Sequence, residues 1–295
     1  MGVNRVSITP KYYTDAVPYL ISICIEAASG NRRAHGKPRT DTMSRHHVEF
    51  VTEAELEWYE EELSDQLPTL RNKVLSTDNE TGAFTRLVAL PAGWSARSVT
   101  FPTTQELYVL EGELTVDGHE LAEASYLRVP EDVFVESIVV DDASRVLWTS
   151  DSALDGPGDH DGHRFWKATE SDLTTIDATE VEWTETAKEG PEEGLLVKKL
   201  WADEETGAVT FLAKADEWTE RRQEHHDCVE TCYTIAGGME LGRRGTMTAG
   251  DYFWRPQWVR HGPMTPTDKG FQAFMRVDRS LVNHYTSAEG VPINY

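Results

Sequence analysis

Four side chains in the carboxyl-terminal half have the types and spacing of a metal site. Residues 223–239 read QEHHDCVETCYTIAGGM, and residues 253–264 read FWRPQWVRHGPM. In the first segment Glu230 follows His226 by four residues, and in the second His261 follows Pro256 by five. Two imidazoles and a carboxylate on one side of an ion suit Fe(II), Mn, Ni or Zn and leave coordination positions open. Open positions allow substrate, water or dioxygen to reach the ion directly.

Two neighbours of His226 leave the ligand set partly open. Successive side chains of a strand point to opposite faces, so Glu224 shares a face with His226 whereas His225 points away. We therefore favour His226 over His225 as a ligand, unless a bulge intervenes, and we include Glu224 as a fourth candidate. Glu230 and Glu224 are also the candidates for shuttling a proton during catalysis.

An internal repeat sets the architecture that positions these residues. Residues 73–87, KVLSTDNETGAFTRL, match residues 198–212, KKLWADEETGAVTFL, at nine of fifteen positions with an offset of 125. A repeat at fixed offset indicates two copies of one structural unit. We assign the copies to residues 44–168 and 169–295, after an N-terminal extension, residues 1–43, that we expect to be poorly ordered.

Each copy has the composition of a β-structure. The segments ELYVLEGELTVDG and TCYTIAGGMELGRRG contain many β-branched or aromatic residues and glycine turns. The segments SYLRVP and DYFWRP follow them and end at proline, which a central strand excludes. Short strands separated by turns are typical of a barrel or jelly roll, so the sequence predicts an all-β fold.

The two spacings resemble the two cupin motifs, which are His-x-His, three or four residues, Glu, six residues, Gly, and later Pro-x-Gly-x-x-His. Because the resemblance covers both copies, the chain resembles a bicupin, which implies two tandem double-stranded β-helix (jelly-roll) barrels from an internal duplication. It implies one divalent metal per chain, with Fe(II) favoured over Zn, Mn or Ni. The chain departs from the motifs at Glu224, in place of the first histidine, and at Trp258, in place of glycine.

The first copy lacks these donors. The positions aligned with His226, Glu230 and His261 hold Phe101, Gln105 and Val135. We expect this barrel to be metal-free and to serve as a dimerising or lid-forming partner, and we expect a homodimer.

Several other residues have two interpretations. Tyr233, Tyr252, Trp254 and Arg276 are candidates for binding the substrate. The alternative is burial in the core for the aromatic residues and exposure at the surface for Arg276. Cys228 and Cys232 are expected to fill core space beside the site. We expect His119 to be solvated and His284 not to be a ligand.

The net charge and the cysteine count limit the expected partners and location of the protein. A net charge of −23 repels nucleic acid and anionic lipid, so we expect a small-molecule substrate and neither of those partners. Three cysteines do not form a disulfide framework, and we expect a cytoplasmic protein.

The metal barrel most resembles small cupin dioxygenases that cleave β-diketones, and the metal-binding cupin of anti-sigma factors. The leading hypothesis is a non-haem Fe(II) dioxygenase acting on a small carbonyl or phenolic compound. The alternatives are a Zn, Mn or Ni lyase, decarboxylase or isomerase, and a non-catalytic metal or small-molecule binding or sensor protein.

Overall fold

The structure is a computed structural model that describes residues 45–154, 171–187, 193–216 and 222–286. The described residues all belong to one compact unit. The predicted extension, residues 1–43, and the predicted boundary between residues 168 and 169 lie outside the described residues.

Throughout the described residues the chain forms antiparallel strands and two short 3-10 helices, Glu53–Glu55 and Gly242–Arg244. The four segments predicted to form strands do so, and the predicted all-β class is confirmed. No helix in these stretches is long and apolar enough to cross a membrane.

Two sheets form the first barrel, and they are built mainly by the first repeat. A seven-stranded sheet has the order β12-β9-β6-β11-β4-β3-β2, and a four-stranded sheet has the order β5-β10-β7-β8. Their strands are β2 Tyr59–Glu61, β3 Leu70–Thr77, β4 Phe84–Leu90, β5 Ser95–Thr100, β6 Gln105–Glu111, β7 Glu113–Val116, β8 His119–Ala122, β9 Ser125–Val129, β10 Phe134–Val139, β11 Ser144–Ser150 and β12 Thr174–Asp177. Side chains from both sheets, such as Val88 and Val99, form one apolar core.

Two further sheets form the second barrel, and they are built mainly by the second repeat. An eight-stranded sheet has the order β1-β19-β17-β20-β15-β14-β13, with β18 beside β17, and β16 pairs with β21. Their strands are β1 Val48–Thr52, β13 Thr184–Glu185, β14 Leu195–Ala202, β15 Val209–Ala215, β16 Gln223–His226, β17 Glu230–Leu241, β18 Thr246–Thr248, β19 Asp251–Arg255, β20 Met264–Val277 and β21 Asn283–Thr286. Each pair of layers encloses its own core, as the predicted jelly rolls require.

The two repeats exchange equivalent strands. Strand β1 of the first repeat pairs with β19 of the second, and β12 of the second repeat pairs with β9 of the first. The offset of 125 relates β1 to β12, so the exchange is reciprocal. Each large sheet is therefore completed by backbone hydrogen bonds from the other repeat.

A third apolar core lies between the two large sheets and encloses a buried ionic network. The Glu106 carboxylate accepts from Arg128 at 2.8 Å and from the Thr210 hydroxyl at 3.1 Å, and it lies 2.5 Å from Nε of Arg276. Arg276 also pairs with Asp151 at 3.2 Å. Because Glu106 and Arg276 belong to different repeats, the network joins the two halves electrostatically.

The glycine of the first predicted motif is required by close backbone packing. Gly237 adopts φ 67°, and a Cβ there would overlap the carbonyl oxygen of Gly270 and lie 2.7 Å from its carbonyl carbon. Gly112, the equivalent residue of the first repeat, has φ 77°, and a Cβ there would lie 2.9 Å from Cα of Ser144. The same steric condition therefore explains why both repeats have glycine at this position.

Gly237→Ala should destabilise the protein much more than Gly93→Ala, as measured by urea unfolding. Gly93 also has a positive φ, 81°, but its Cβ would meet no atom within 4 Å. Gly93→Ala should therefore lower the free energy of unfolding by only about 1–2 kcal/mol, which is the cost of a left-handed backbone for a residue with a Cβ atom. Gly237→Ala should cost about 1–3 kcal/mol more because of overpacking. Equal losses would show that the approach to Gly270 imposes no penalty.

Candidate metal centre

Backbone pairing brings distant residues to one end of the second barrel. Glu224 and His226 lie on β16, and Glu230 begins β17. His261 follows β19 and forms two backbone hydrogen bonds with Glu224, each 2.9 Å long. These bonds fix His261 beside β16, although 35 residues separate it from His226.

The turn before His261 depends on an unusual backbone conformation. Trp258 adopts φ 67°, and its N–H donates to the carbonyl oxygen of His226 at 2.7 Å. Glycine reaches this left-handed region without strain, which explains the glycine of the motif that the sequence resembles. Trp258 therefore keeps the backbone shape of the motif despite its different side chain.

The structure brings the four predicted metal ligands together in a buried cluster. Nε2 of His226 lies 3.1 Å from Nε2 of His261, and Oε1 of Glu224 lies 3.5 Å from the latter atom. Oε2 of Glu230 lies 3.8 Å from Nε2 of His261 and 4.0 Å from Nε2 of His226. The ligand atoms of Glu224, His226 and His261 all lie within 4.8 Å of one another, so Glu224 belongs to the cluster.

The tautomer of His261 fits a cation at this position. Nδ1 of His261 lies 3.0 Å from the Val259 carbonyl oxygen, which can only accept a hydrogen bond. Nδ1 therefore carries the proton in the neutral ring, and Nε2 presents a lone pair to the cluster. A ligating histidine is commonly oriented by this type of contact.

The distances within the cluster also fit one ion. Two ligand atoms that are about 2.1 Å from an ion and at right angles to one another lie about 3.0 Å apart. The 3.1 Å between the two Nε2 atoms matches that spacing. Two imidazoles with two carboxylates form a donor set that suits divalent first-row metals. The residues present therefore fit a single divalent cation.

Arg255 forms an ion pair with the Glu230 carboxylate. Its Nη1 lies 3.3 Å from Oε2 of Glu230, and its guanidinium lies over the ring of Phe253. Burial would raise the pKa of Glu230, but His226, His261 and Arg255 outweigh it and hold that pKa below its ordinary value. Glu230 therefore favours the carboxylate form that binds a metal.

Sequence reasoning missed Arg255 and Glu49. Nη2 of Arg255 lies 3.6 Å from Oε1 of Glu49, which belongs to the exchanged strand β1 and is ion-paired with Arg244. Strand alternation could have indicated Arg255, because it lies two residues from Phe253 on a predicted strand. No signal indicated Glu49, because the exchange of β1 joins residues from different repeats.

His225 points away from the cluster, as strand alternation predicts. Its ring stacks on His284 at 5.2 Å between centroids and contacts the Trp258 ring at 5.6 Å. The Trp258 side chain is 57% exposed. His226 therefore faces the other candidate ligands, and His225 and His284 belong to an aromatic cluster outside the group.

The four predicted substrate-binding residues are not brought to this site. All lie in or beside the core between the two large sheets, namely Tyr233, Tyr252, Trp254 and Arg276. The Tyr233 hydroxyl donates to Glu53 at 2.8 Å, and the Tyr252 hydroxyl lies 2.6 Å from the Ser76 hydroxyl. The reason is strand alternation, since Tyr233 is three residues from Glu230 and so has opposite parity.

The other face of these strands lines the barrel interior. Cys232 packs there with Phe253 and Met275. Cys228 and Cys232 are buried and free, and burial raises the pKa of both thiols well above the ordinary value. They occupy core space, as expected.

The equivalent end of the first barrel is filled by apolar and neutral groups. Phe101 and Val135 are buried in its core. Gln105, which aligns with Glu230, accepts a hydrogen bond from Nε1 of Trp148 at 2.8 Å. Among the described residues, the only group of three or more His, Cys, Asp or Glu placed to hold a metal is the one in the second barrel.

The two jelly-roll barrels give the chain a cupin-like fold, with a His/Glu group at one end of the second barrel. The chain belongs to the family described as "Domain of unknown function (DUF4437)", whose profile matches residues 47–284. A comparison with curated proteins finds no match.

Several solved structures share the fold. A protein of Nostoc punctiforme described as a "putative dioxygenase" has a TM-score of 0.67 and 20% identity, with 86% of this chain and 87% of that chain covered. The protein Ylba of E. coli has a TM-score of 0.54 and 16% identity over 78% and 90% of the two chains. A mutant of Bacillus subtilis oxalate decarboxylase has a TM-score of 0.51 and 14% identity over 81% and 79%. At these identities the likeness concerns the fold alone.

Proposed function

We propose that the protein is a metal-dependent cupin enzyme, a non-haem Fe(II) dioxygenase that acts on a small carbonyl or phenolic compound. The observation that carries the proposal is the buried group of two imidazoles and two carboxylates, in which four pairs of donor atoms lie 3.1–4.0 Å apart. The fold likeness to a protein described as a "putative dioxygenase" supports the same reaction class.

In this proposal His226, His261, Glu230 and Glu224 hold one ion, which would supply a Lewis acid and a site for dioxygen. The Val259 carbonyl keeps the lone pair of His261 directed at that ion. Arg255 keeps Glu230 ionised and restrains its carboxylate. Glu224 is the candidate for moving a proton. Among the contacts of the described residues, no guanidinium holds Glu224 in the way that Arg255 holds Glu230.

A second candidate is a Mn, Zn or Ni lyase, decarboxylase or isomerase. The specific observation in its favour is the second carboxylate, because carboxylate oxygens suit Mn²⁺ better than softer ligands do. The fold is also shared with an oxalate decarboxylase of Bacillus subtilis.

A non-catalytic binding or sensor protein has less support. A closed site would favour it, with Trp258 and Trp254 over the ion. Trp258 is largely exposed, and Trp254 lies in the core between the large sheets. The Trp258 ring packs on His225, which points away from the cluster, so neither ring gives evidence of a closed site.

We also propose that the protein acts in the cytoplasm as a homodimer, with the first barrel as a dimerising or lid-forming partner. Among the described residues, the free thiols of Cys228 and Cys232 support the cytoplasmic setting, where disulfides are rare. Size-exclusion chromatography with light scattering measures the oligomeric state.

Protein loaded with Fe(II) should consume dioxygen with a β-diketone or a phenolic ketone in an oxygen-electrode assay. Protein loaded with Mn²⁺ and protein stripped with a chelator are the matched controls, and both should be inactive with dioxygen. Substrate turnover by the Mn²⁺ form without oxygen uptake would replace the dioxygenase with the second candidate. Absence of metal from all loaded samples would reject both enzyme classes.

A further inference from the structure

Arg255 is a buried cation that borders the candidate metal centre. Its side chain is 2% exposed, and its Nη1 lies 3.3 Å from the Glu230 oxygen that faces the two imidazoles. The register of β17 and β19 places Arg255 directly opposite Glu230, on the same face of the sheet. The guanidinium therefore lies within reach of a molecule bound at the cluster.

Two donor nitrogens of Arg255 have no hydrogen-bond acceptor within the part of the chain that the structure describes. Nε and Nη2 are both buried, and the nearest carboxylate oxygen to Nη2, on Glu49, is 3.6 Å away. An ion pair at that distance does not satisfy the N–H group. Buried donors of a charged group cost free energy when they are left without an acceptor. An acceptor supplied by a ligand would remove this cost.

The formal charges around Arg255 favour an anion as that ligand. The carboxylates of Glu224, Glu230 and Glu49 carry −3, and the guanidiniums of Arg255 and Arg244 carry +2. A divalent cation on neutral histidines brings the sum to +1. Glu49 is in closer contact with Arg244 than with Arg255, so it leaves Arg255 incompletely neutralised.

We propose that Arg255 binds a carboxylate of the substrate, so that the enzyme acts on a small carboxylate-bearing carbonyl compound. This inference rests on the proposed function, since the carbonyl oxygen of the same molecule would face the metal. A planar guanidinium offers paired N–H donors that match the two oxygens of a carboxylate. Arg255 would thereby select the substrate and fix its orientation at the cluster.

The test compares pyruvate with methyl pyruvate as probes of metal-loaded protein by isothermal titration calorimetry. The two probes share a ketone, but only pyruvate has a free carboxylate. The wild type should bind pyruvate roughly 10- to 100-fold more tightly than the ester, as a charge-assisted hydrogen bond permits. Arg255→Gln should lose this preference.

Arg145→Gln is the matched control, because it removes an equal charge that is ion-paired with Glu53 and Glu111 and contacts neither Glu230 nor Glu49. It should keep the preference for pyruvate. Equal affinities of the wild type for the two probes would refute the inference, and this comparison stands even if Arg255→Gln fails to fold. A preference that survives in folded Arg255→Gln would refute it as well.

Metal analysis separates this result from the proposed function. Wild-type protein that holds stoichiometric metal but does not distinguish the probes would overturn only the role of Arg255. Wild-type protein that holds no metal would overturn the proposed function, and the inference with it.

Discussion

His261→Ala is expected to abolish stoichiometric metal binding. Nε2 of His261 lies 3.1 Å from His226, 3.5 Å from Glu224 and 3.8 Å from Glu230, which places it at the centre of the donor group. Loss of a residue that merely orients a ligand weakens metal affinity roughly 10- to 100-fold, and loss of a ligand itself should exceed that range. Metal content after loading and desalting measures the effect.

His225→Ala and His119→Ala are the matched controls. His225 is next to a proposed ligand but its ring packs on His284, and His119 is exposed in the first repeat. Both variants should keep one metal per chain. Full metal content in His261→Ala, or its loss in His225→Ala, would contradict the assignment of the ligands.

Misfolding must be separated from loss of a ligand. His261 holds its place through two backbone hydrogen bonds with Glu224, which alanine retains. Alanine removes a fully buried ring, so His261→Ala should unfold at a somewhat lower temperature than the wild type when both are measured in chelator. The difference should widen when metal is added, because only the wild type gains the stabilisation that a bound ion provides.

The sequence allowed the strands and the ligand group to be predicted because both follow local rules. Glu224 and His226 are two residues apart, so a strand must present them on one face. The repeat at an offset of 125 then placed His261 in a second strand-rich segment whose first-repeat counterpart is Val135. The joining of His261 with His226 and Glu230 into one ligand set came from the resemblance of the two spacings to the cupin motifs.

The environment of the site could not be predicted, because it depends on pairing between distant strands. The position of Glu49 beside Arg255 follows from the pairing of β1 with β19, across some 200 residues of chain. The contact of Arg255 with Glu230 follows from the register of β17 and β19. A sequence pattern carries no information on either register.

The four predicted substrate-binding residues lie away from the site because the prediction did not assign each side chain to one face of its sheet. Along β17, Tyr233 and Glu230 are three residues apart, so alternation alone directs their side chains to opposite faces. For Arg276, parity must be combined with the pairing of Glu230 with Val277. That pairing turns Arg276 towards Glu106 and Asp151 of the first repeat.

Glu106→Gln is expected to lower the free energy of unfolding by about 3–5 kcal/mol. The Glu106 carboxylate is fully buried and is shared by Arg128 and Arg276. Glutamine keeps the shape but removes the negative charge, so two buried guanidiniums lose their common counter-ion. Urea unfolding at neutral pH measures the loss.

Glu111→Gln is the matched control, since it removes an equal charge from a largely exposed ion pair with Arg145. An exposed pair contributes about 0–1 kcal/mol, so this variant should unfold almost like the wild type. A loss in Glu106→Gln no larger than that in Glu111→Gln would show that the network between the sheets does not join the halves.

The pH dependence of the unfolding free energy should also reveal the charge of Glu106. Burial would raise the pKa of Glu106, but Arg276 and Arg128 outweigh it and hold that pKa below its ordinary value of 4.5. A carboxyl group with a depressed folded-state pKa stabilises the fold fully above its unfolded value and loses that contribution as the pH falls through the folded value. The difference in unfolding free energy between wild type and Glu106→Gln should therefore be constant near neutrality and shrink below about pH 4.5. A difference that stays constant into the acid range would mean that shape or packing, rather than the charge of Glu106, accounts for the loss of stability.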